Sequence, residues 1–413
     1  MHMLPLAEDL KQRGLVYQSN DWVGAMEQVF EGPQLAYVGF DCTASSLHVG
    51  SLMPIMMLRR WQKAGHRPIV LFGSATTLVG DPTGKENSRP MLTPDDIAAN
   101  KKSLSEVFSR FLDTEDPNTG AIFVDNYTWW KDISYLDLLR TVGPLMTINH
   151  MVHFETVARR LETQQPLSFL EFNYMILQGY DFVHLLKEMG CKYQFGGSDQ
   201  WGNMIVGADL IHKMQMGSSY VITAPLLTTA SGKKMGKTEH GAVWLNEQLL
   251  SDFEYWQFWR NCDDQDCEKL MLAMTDLHPT FIKEYFAKLE PGQINEAKIL
   301  LANEQTKLCR GLEAQQKCYE RAQAIFTGDV QTRKDALQRY SINSTEDLLL
   351  LDFLMQHQLI DSKSAGKNLI EQNAVKIDDI TIDNVFYKLS AVFYQDNSTV
   401  LSIGKKKHYL IVR

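Results

Sequence analysis

The chain has 413 residues, 44% hydrophobic and 22% charged, with a net charge of −9. That length calls for two or three domains, the apolar content supplies sizeable cores and leaves little room for long disorder, and no run approaches the roughly 18 apolar residues that cross a bilayer. The acidic balance argues against indiscriminate nucleic-acid binding, and any nucleic-acid partner requires basic residues concentrated on one face.

Met1 to Asp21 is polar and mixed in charge, unlike a secretory signal. Leu35 to Phe40 is a short apolar run with the pattern of a buried strand, followed by a turn-rich stretch and a helical run from Leu52 to Ala64. Ser51 is expected to cap that helix, with Pro54 in its first turn. Gly65-His66-Arg67-Pro68 ends it, and Ile69 to Phe72 reads as a second strand. Thr93-Pro94-Asp95-Asp96 has the cap, proline and acids of another helix start. Ala121 to Val124 and Tyr193 to Phe195 complete four strands, the last running into Gly196-Gly197. This alternation predicts an α/β fold, a doubly wound Rossmann-like parallel sheet, with ligands at the carboxyl ends of its strands.

From Asn246 to Phe326 the pattern is almost continuously helical. The expected domains are therefore 1–245, catalytic; 246–328, α-helical; 329–345, a linker; and 346–413, a small α/β module. In that module helices are expected from Leu348 and from Lys363, with strands near Val375 to Ile377 and Tyr409 to Val412. The six cysteines, Cys42, Cys191, Cys262, Cys267, Cys309 and Cys318, form no CxxC pair and have no histidine at metal spacing. They read as reduced thiols of a cytoplasmic protein, and no protein metal site is expected.

Five constellations carry candidate chemistry. Asp41 to Ser51, between the first strand and its helix, places small residues, Thr43 and His48 where backbone N–H groups meet phosphate; alone, it reads equally as a capped turn. Gly80-Asp81-Pro82-Thr83-Gly84-Lys85, continuing to Arg89, fails the P-loop pattern, because three residues separate the glycines and Glu86 replaces the hydroxyl. It is either a loop whose two cations close on phosphate or a solvated turn. Gly232 to Thr238 is a glycine-flexed basic loop with Lys234 and Lys237, suited to polyphosphate, although by itself such a loop is usually just solvated. Tyr174, Gln178 and Asp181 share one face of an otherwise apolar helix, fit for a small polar ligand or for a buried hydrogen-bond network. Gly196 to Asn203 puts Gly197, Asp199 and Gln200 at a strand end, where a ribose would be held.

In this order the five segments resemble bacterial-type tyrosyl-tRNA synthetases of the first synthetase class. His48-Val49-Gly50-Ser51 matches the family's HIGH motif, and Lys234-Met235-Gly236-Lys237-Thr238 its KMSKS motif. The resemblance implies that tyrosine is activated with ATP and transferred to the terminal adenosine of tRNA(Tyr). Tyr37 and Asp181 would take the phenol, and Asp81, Tyr174 and Gln178 the ammonium group. Thr43 and His48 would meet the ATP phosphates. Lys85, Arg89, Lys234, Lys237 and Thr238 would close over pyrophosphate, while Asp41, Gly50, Ser51, Gly197, Asp199 and Gln200 would line the nucleotide or adenylate. Mg2+ is implied with ATP, carried mainly by the phosphates.

The chain departs from the motif at Ser51, which stands where the family has a second histidine. The segment 346–413 resembles a small RNA-binding fold also found in a ribosomal small-subunit protein. Its eight Lys/Arg against nine Asp/Glu leave Lys363, Lys367 and Lys405 to Lys407 as its cation clusters. The family is homodimeric, and the apolar segment from Leu138 to Met151 reads either as that interface or as core. The rivals are the tryptophan-specific cousin, an inactive RNA-binding paralogue and another nucleotidyl transferase on the same fold. Tyr37, Asp181 and the C-terminal module oppose the first, the intact cations the second, and the C-terminal module the third.

Overall fold

The computed structural model describes residues 5–81, 92–230, 232, 234–238, 241–290, 292–327, 334, 336–342, 348–389, 398–404 and 407–412, with backbone alone at 150, 155, 156, 237, 238, 326 and 327. The chain divides into two compact units, 1–315 and 316–413.

The first unit is built on a six-stranded sheet in the order β1-β6-β5-β2-β3-β4. The strands are β1 Gln18–Ser19, β2 Leu35–Asp41, β3 Arg67–Gly73, β4 Ile122–Asp125, β5 Tyr193–Gly197 and β6 Tyr220–Ala224. All pairings are parallel except β1 with β6 at the edge. Parallel strands are buried on both faces, which is why β3 after Arg67 and β6 throughout are buried. From β2 the chain winds outward through β3 to β4, then returns to the other side of β2 for β5 and β6. A crevice therefore opens where the carboxyl ends of β2 and β5 diverge, the position where open α/β sheets bind ligands.

Alternation along β2 sorts its side chains. Phe40 meets Phe108 of the helix Pro94–Phe111 with ring centroids 4.8 Å apart, whereas Tyr37 meets Phe182 of the helix Phe169–Met189 at 5.4 Å on the opposite face. Burying a side chain such as Phe108 contributes about 1.5–3 kcal/mol. The helix Leu52–Lys63 lies on the Phe40 side, where Trp61 packs on Tyr193 and Phe195 of β5. The helix Trp201–Lys213 crosses Phe169–Met189 closely: a Cβ on Gly207 would lie 2.9 Å from Phe182 Cβ and 3.0 Å from the Gly179 carbonyl oxygen. Capping boxes start two of these helices, Thr93 with Asp96 as expected and Ser168 with Glu171.

Helices from Asp252 to Thr327 follow the sheet, as the periodicity indicated. The Arg13 guanidinium donates to the carbonyls of Leu272, Thr275 and Leu277, each at 2.9 Å. Arg59, Arg60 and Lys63 converge on Asp276. These ties run from the sheet side to the helical segment 246–315, so the first unit includes both.

Two local expectations fail. Ser51 makes no side-chain capping bond; its backbone is already helical (φ −83°, ψ −6°), ending a 3-10 turn Val49–Ser51, and a cap needs extended backbone. His48 takes that role, its Nδ1 accepting the Gly50 N–H at 3.0 Å. The segment 329–345, read as a linker, contains strand β9, Gln338–Ser341.

In the second unit β9 pairs in parallel with β13, Lys407–Val412, in a sheet ordered β11-β10-β12-β13-β9. The other strands are β10 Val375–Ile377, β11 Ile380–Thr381 and β12 Ser398–Ile403. The helices Leu350–Gln356 and Lys363–Glu371 supply Phe353, Leu354 and Ile370 to its core with Val375, Leu401 and Ile411. Between sheets in chain order lies the two-stranded ribbon β7, Lys237–Thr238, with β8, Gly241–Ala242.

Candidate active site

The crevice at the ends of β2 and β5 gathers most of the expected residues. Tyr37, Gly39 and Asp41 share one face of β2 and span about 13 Å. Opposite them, Tyr174, Gln178 and Asp181 share one face of the helix Phe169–Met189 over about 10 Å. Strand and helix run antiparallel here, with Phe182 beside Tyr37 and the Tyr174 hydroxyl donating to Asp41 Oδ2 at 3.1 Å. Gly39, without a side chain, sits midway along the slot.

The inner end is buried and polar. Asp181 is 2% exposed. Its Oδ1 accepts from the indole N–H of Trp129 at 2.9 Å and of Trp130 at 2.7 Å, and its Oδ2 accepts from Asn126 Nδ2 at 3.0 Å. Burial pushes its carboxyl up to about 7 against the pull of these three donors. Burial also holds the Tyr37 phenol well above its ordinary value, reinforced by the charge of Asp181. Among the described residues the Tyr37 hydroxyl has no hydrogen-bond partner, nor have the side-chain carbonyl oxygens of Gln178 and Gln194. Gln194 of β5 stands in register with Tyr37. A buried polar atom left unpaired costs about 1–3 kcal/mol, so a concentration of them marks a place where a polar ligand completes the structure.

The outer end is ordered by a chain of side-chain bonds. Asn126 Nδ2 also donates to Thr76 Oγ1 at 3.2 Å, and Thr76 Oγ1 donates to Asp41 Oδ1 at 2.8 Å. The Ala75 N–H fixes the Asn126 amide by donating to its Oδ1 at 2.8 Å. Asp81, buried, accepts from Gln200 Nε2 at 2.9 Å, and Asn203 Nδ2 donates to Gln200 Oε1 at 3.3 Å. Asp81, Tyr174 and Asp41 thus line a polar mouth beside Gly197 and Gln200 at the end of β5.

The two phosphate motifs face each other across backbone contacts. The Val49 N–H donates to the Val243 carbonyl, and the Val243 N–H to the Gly236 carbonyl. Gly236 has φ +130°, and a Cβ there would lie 3.1 Å from His48 Nδ1. Because Nδ1 of His48 accepts from Gly50, a neutral His48 carries its proton on Nε2, ready to donate. The loop holding Thr43 is fastened by the Cys42 N–H to Thr77 Oγ1 (2.8 Å), by Asn100 to the Cys42 carbonyl (2.9 Å) and by Ser103 to the Ser45 carbonyl (2.6 Å). Lys234 lies 3.8 Å from Asp199, both of them exposed. Lys237 and Thr238 form β7. Lys85 and Arg89 lie outside the described residues.

Asn126, Thr76, Trp129 and Trp130 were not singled out from the sequence. Their signal was position: Asn126 directly follows β4, at the same carboxyl edge as the other site residues. Among the described residues no group of three or more His, Cys, Asp or Glu is placed to hold a metal ion. All six cysteines are buried, and none is joined in a disulfide.

Residues 31–327 match the family model for class I tRNA synthetases of the tryptophan and tyrosine type. The tyrosine–tRNA ligase of Pelagibacter ubique is 44% identical over 404 residues, covering 97% of each protein. That of Xanthobacter autotrophicus is 44% identical over 405 residues, covering 97% of this chain and 96% of its own. The crystal structure of a C-terminally truncated mitochondrial tyrosyl-tRNA synthetase from Aspergillus nidulans superposes with a TM-score of 0.70 at 27% identity, over 78% of this chain and 95% of that one. With its crevice at the sheet's switch point and both phosphate motifs in contact, this chain belongs to the class I tRNA synthetases, among the tyrosine–tRNA ligases.

Proposed function

We propose that L-tyrosine lies in the slot between β2 and the helix Phe169–Met189, its phenol between Tyr37 and Asp181 and its ammonium group among Asp81, Tyr174 and Gln178. The observation that carries this reading is the buried Tyr37 hydroxyl, unpartnered beside a buried carboxylate. The chain activates L-tyrosine with ATP, releasing pyrophosphate, and passes tyrosine from the adenylate to the terminal adenosine of tRNA(Tyr).

The first step needs no protein nucleophile. The tyrosine carboxylate attacks the α-phosphate in line, and the chain's work is to position the reactants and stabilise charge moving onto pyrophosphate. Thr43 and His48 donate to the terminal phosphates, His48 through Nε2. Lys85, Arg89, Lys234, Lys237 and Thr238 close over the leaving pyrophosphate. Gly50 and Ser51 approach the nucleotide through backbone and hydroxyl, Ser51 replacing part of the contact of the family's histidine. Gly197, Asp199 and Gln200 hold ribose or adenylate, and Asp41 orients Tyr174 at the junction of the two substrates. Mg2+ accompanies ATP, carried mainly by its phosphates.

Residues 346–413 would serve as the tRNA-binding module and 246–328 as a helical domain between it and the catalytic part. The lysines at 363 and 367 pair with Asp352 and Glu371, so they reach RNA only by exchanging those exposed, weak pairs for phosphate. A homodimer is supported by the apolar residues exposed along 135–148: Leu136 at 71%, Leu139 at 46% and Ile148 at 62%. Among the described residues no helix is long and apolar enough to cross a membrane; a cytoplasmic location is proposed from the likeness to bacterial tyrosine–tRNA ligases.

ATP–pyrophosphate exchange tests the assignment: tyrosine should stimulate it, and stimulation by tryptophan alone would overturn the reading.

A further inference from the structure

Asp181 has more donors than a phenol-reading carboxylate needs for solvation alone, and their distribution is uneven. A carboxylate offers about four acceptor sites, two on each oxygen. The indole N–H groups of Trp129 and Trp130 occupy both sites of Oδ1, at 2.9 and 2.7 Å. Asn126 occupies one site of Oδ2 at 3.0 Å, and its amide is locked in that orientation by the Ala75 N–H. One acceptor site remains, on Oδ2.

Resting on the reading of Asp181 as the phenol acceptor, we infer that Trp130 is a positioning and specificity-determining residue, whose indole N–H completes Oδ1 of Asp181 and so commits the remaining site of Oδ2 to the phenol O–H of tyrosine. Trp130 is the shorter of the two indole contacts and the more exposed side chain. Its ring leans on Tyr180 at 5.2 Å, one residue before Asp181, which fixes the direction of its N–H. Trp129 is held separately, stacked on His184 at 4.2 Å. Both donors lack any acceptor function, so neither can partner a protonated Asp181 oxygen. The pair therefore favours the ionised carboxylate, the form that accepts from tyrosine and has nothing to offer phenylalanine.

The charged and titratable neighbours leave this balance to the indoles. Asp41 on β2 opposes ionisation of Asp181, and the Tyr37 phenol and Cys191 thiol are both held neutral by burial. His184, on Asp181's own helix, is lowered by burial and brings no cation near pH 7. Asp125, at the end of β4, is matched by Lys101 at 2.6 Å. With Asp181 already raised to about 7, losing one charge-assisted donor moves its titration up by about one to two pH units.

The test is the pH profile of tyrosine-dependent ATP–pyrophosphate exchange in the full-length protein and its Trp130→Phe variant. In the parent, KM for tyrosine should rise about tenfold per pH unit below about 7. In Trp130→Phe that rise should begin one to two units higher. KM at pH 7 would then be about 5- to 50-fold above the parent, with kcat at saturating tyrosine changed less than about threefold, and the excess in KM reduced to about fourfold or less at pH 8.5. Recovery at high pH separates this effect from misfolding. An unmoved profile, or a KM raised equally at every pH, would overturn the role of Trp130. Asp181→Ala measured alongside separates the two levels of the argument. If that variant keeps its tyrosine affinity, the phenol reading itself fails; if it loses affinity while Trp130→Phe leaves the profile in place, only the Trp130 inference fails.

Discussion

At the scale of single residues, the site is a set of polar atoms buried before their ligand arrives. Tyr37 and Asp181 were legible from the sequence through a motif and a helical spacing, but neither pattern measures how deeply they lie or which donors hold Asp181. On the proposed reading, replacing Asp181 with alanine removes a charge-assisted bond to the phenol, and it leaves two indoles and an amide unpaired. We expect kcat/KM for tyrosine to fall by about 10- to 150-fold, corresponding to about 1.5–3 kcal/mol, in the exchange assay. Tyr37→Phe, which removes one neutral partner, should raise KM by about 5- to 10-fold with the fold intact by circular dichroism. The titration of Asp181 has a consequence for stability. Its folded value, about 7, lies above an unfolded value of about 3.9, so between these the folded chain keeps a proton that the unfolded chain has lost. Its contribution is therefore most favourable below pH 4, is lost as pH rises through about 7, and is flat above about pH 8. Asp181→Asn should remove that falling slope, seen as a gap between the two Tm-versus-pH curves that changes steeply from pH 5 to 7 and levels off above about pH 8.

At the scale of elements, what matters is how closely backbones approach. The lysine loop meets the start of the Leu52–Lys63 helix through Gly236, at φ +130° and against His48. An alanine there is strained by its backbone and must also displace the imidazole. Gly236→Ala is therefore expected to slow adenylate formation by about 10- to 100-fold in stopped-flow single turnover, while tyrosine affinity, set on the other side of the crevice, stays within about threefold. The helix starts were readable because capping is local: Thr93 and Asp96 announce themselves within four residues. The cap at Ser51 was misread because a serine before an apolar run does not reveal that a 3-10 turn already occupies its place. The short β9 escaped for a similar reason. Four polar residues, Gln338 to Ser341, become a strand only by pairing with β13, about seventy residues later.

At the scale of the whole molecule, the proposed reading divides function along the chain. A chain ending at Thr327 keeps every described residue of the crevice and loses the second sheet entire. It should retain tyrosine-dependent exchange within about fivefold yet lose nearly all tRNA charging, measured by acid-precipitable tyrosine; equal loss of both would place catalytic residues beyond 327. Leu136→Glu should shift the protein toward monomer in sedimentation velocity, since a charge on the exposed apolar run must be desolvated in any interface that covers it. By itself the sequence determined the fold class and the chemistry, and it named the residues from which the site is proposed. Strand periodicity, helix caps and phosphate-loop motifs are local patterns whose meaning survives without the rest of the chain. Only the tertiary structure decided that Asn126, Trp129 and Trp130 converge on Asp181, some fifty residues later, and that Tyr37 waits unpaired. Those facts depend on which strands neighbour one another and on how burial sets the energy of a charge, and neither is written in any single stretch of residues.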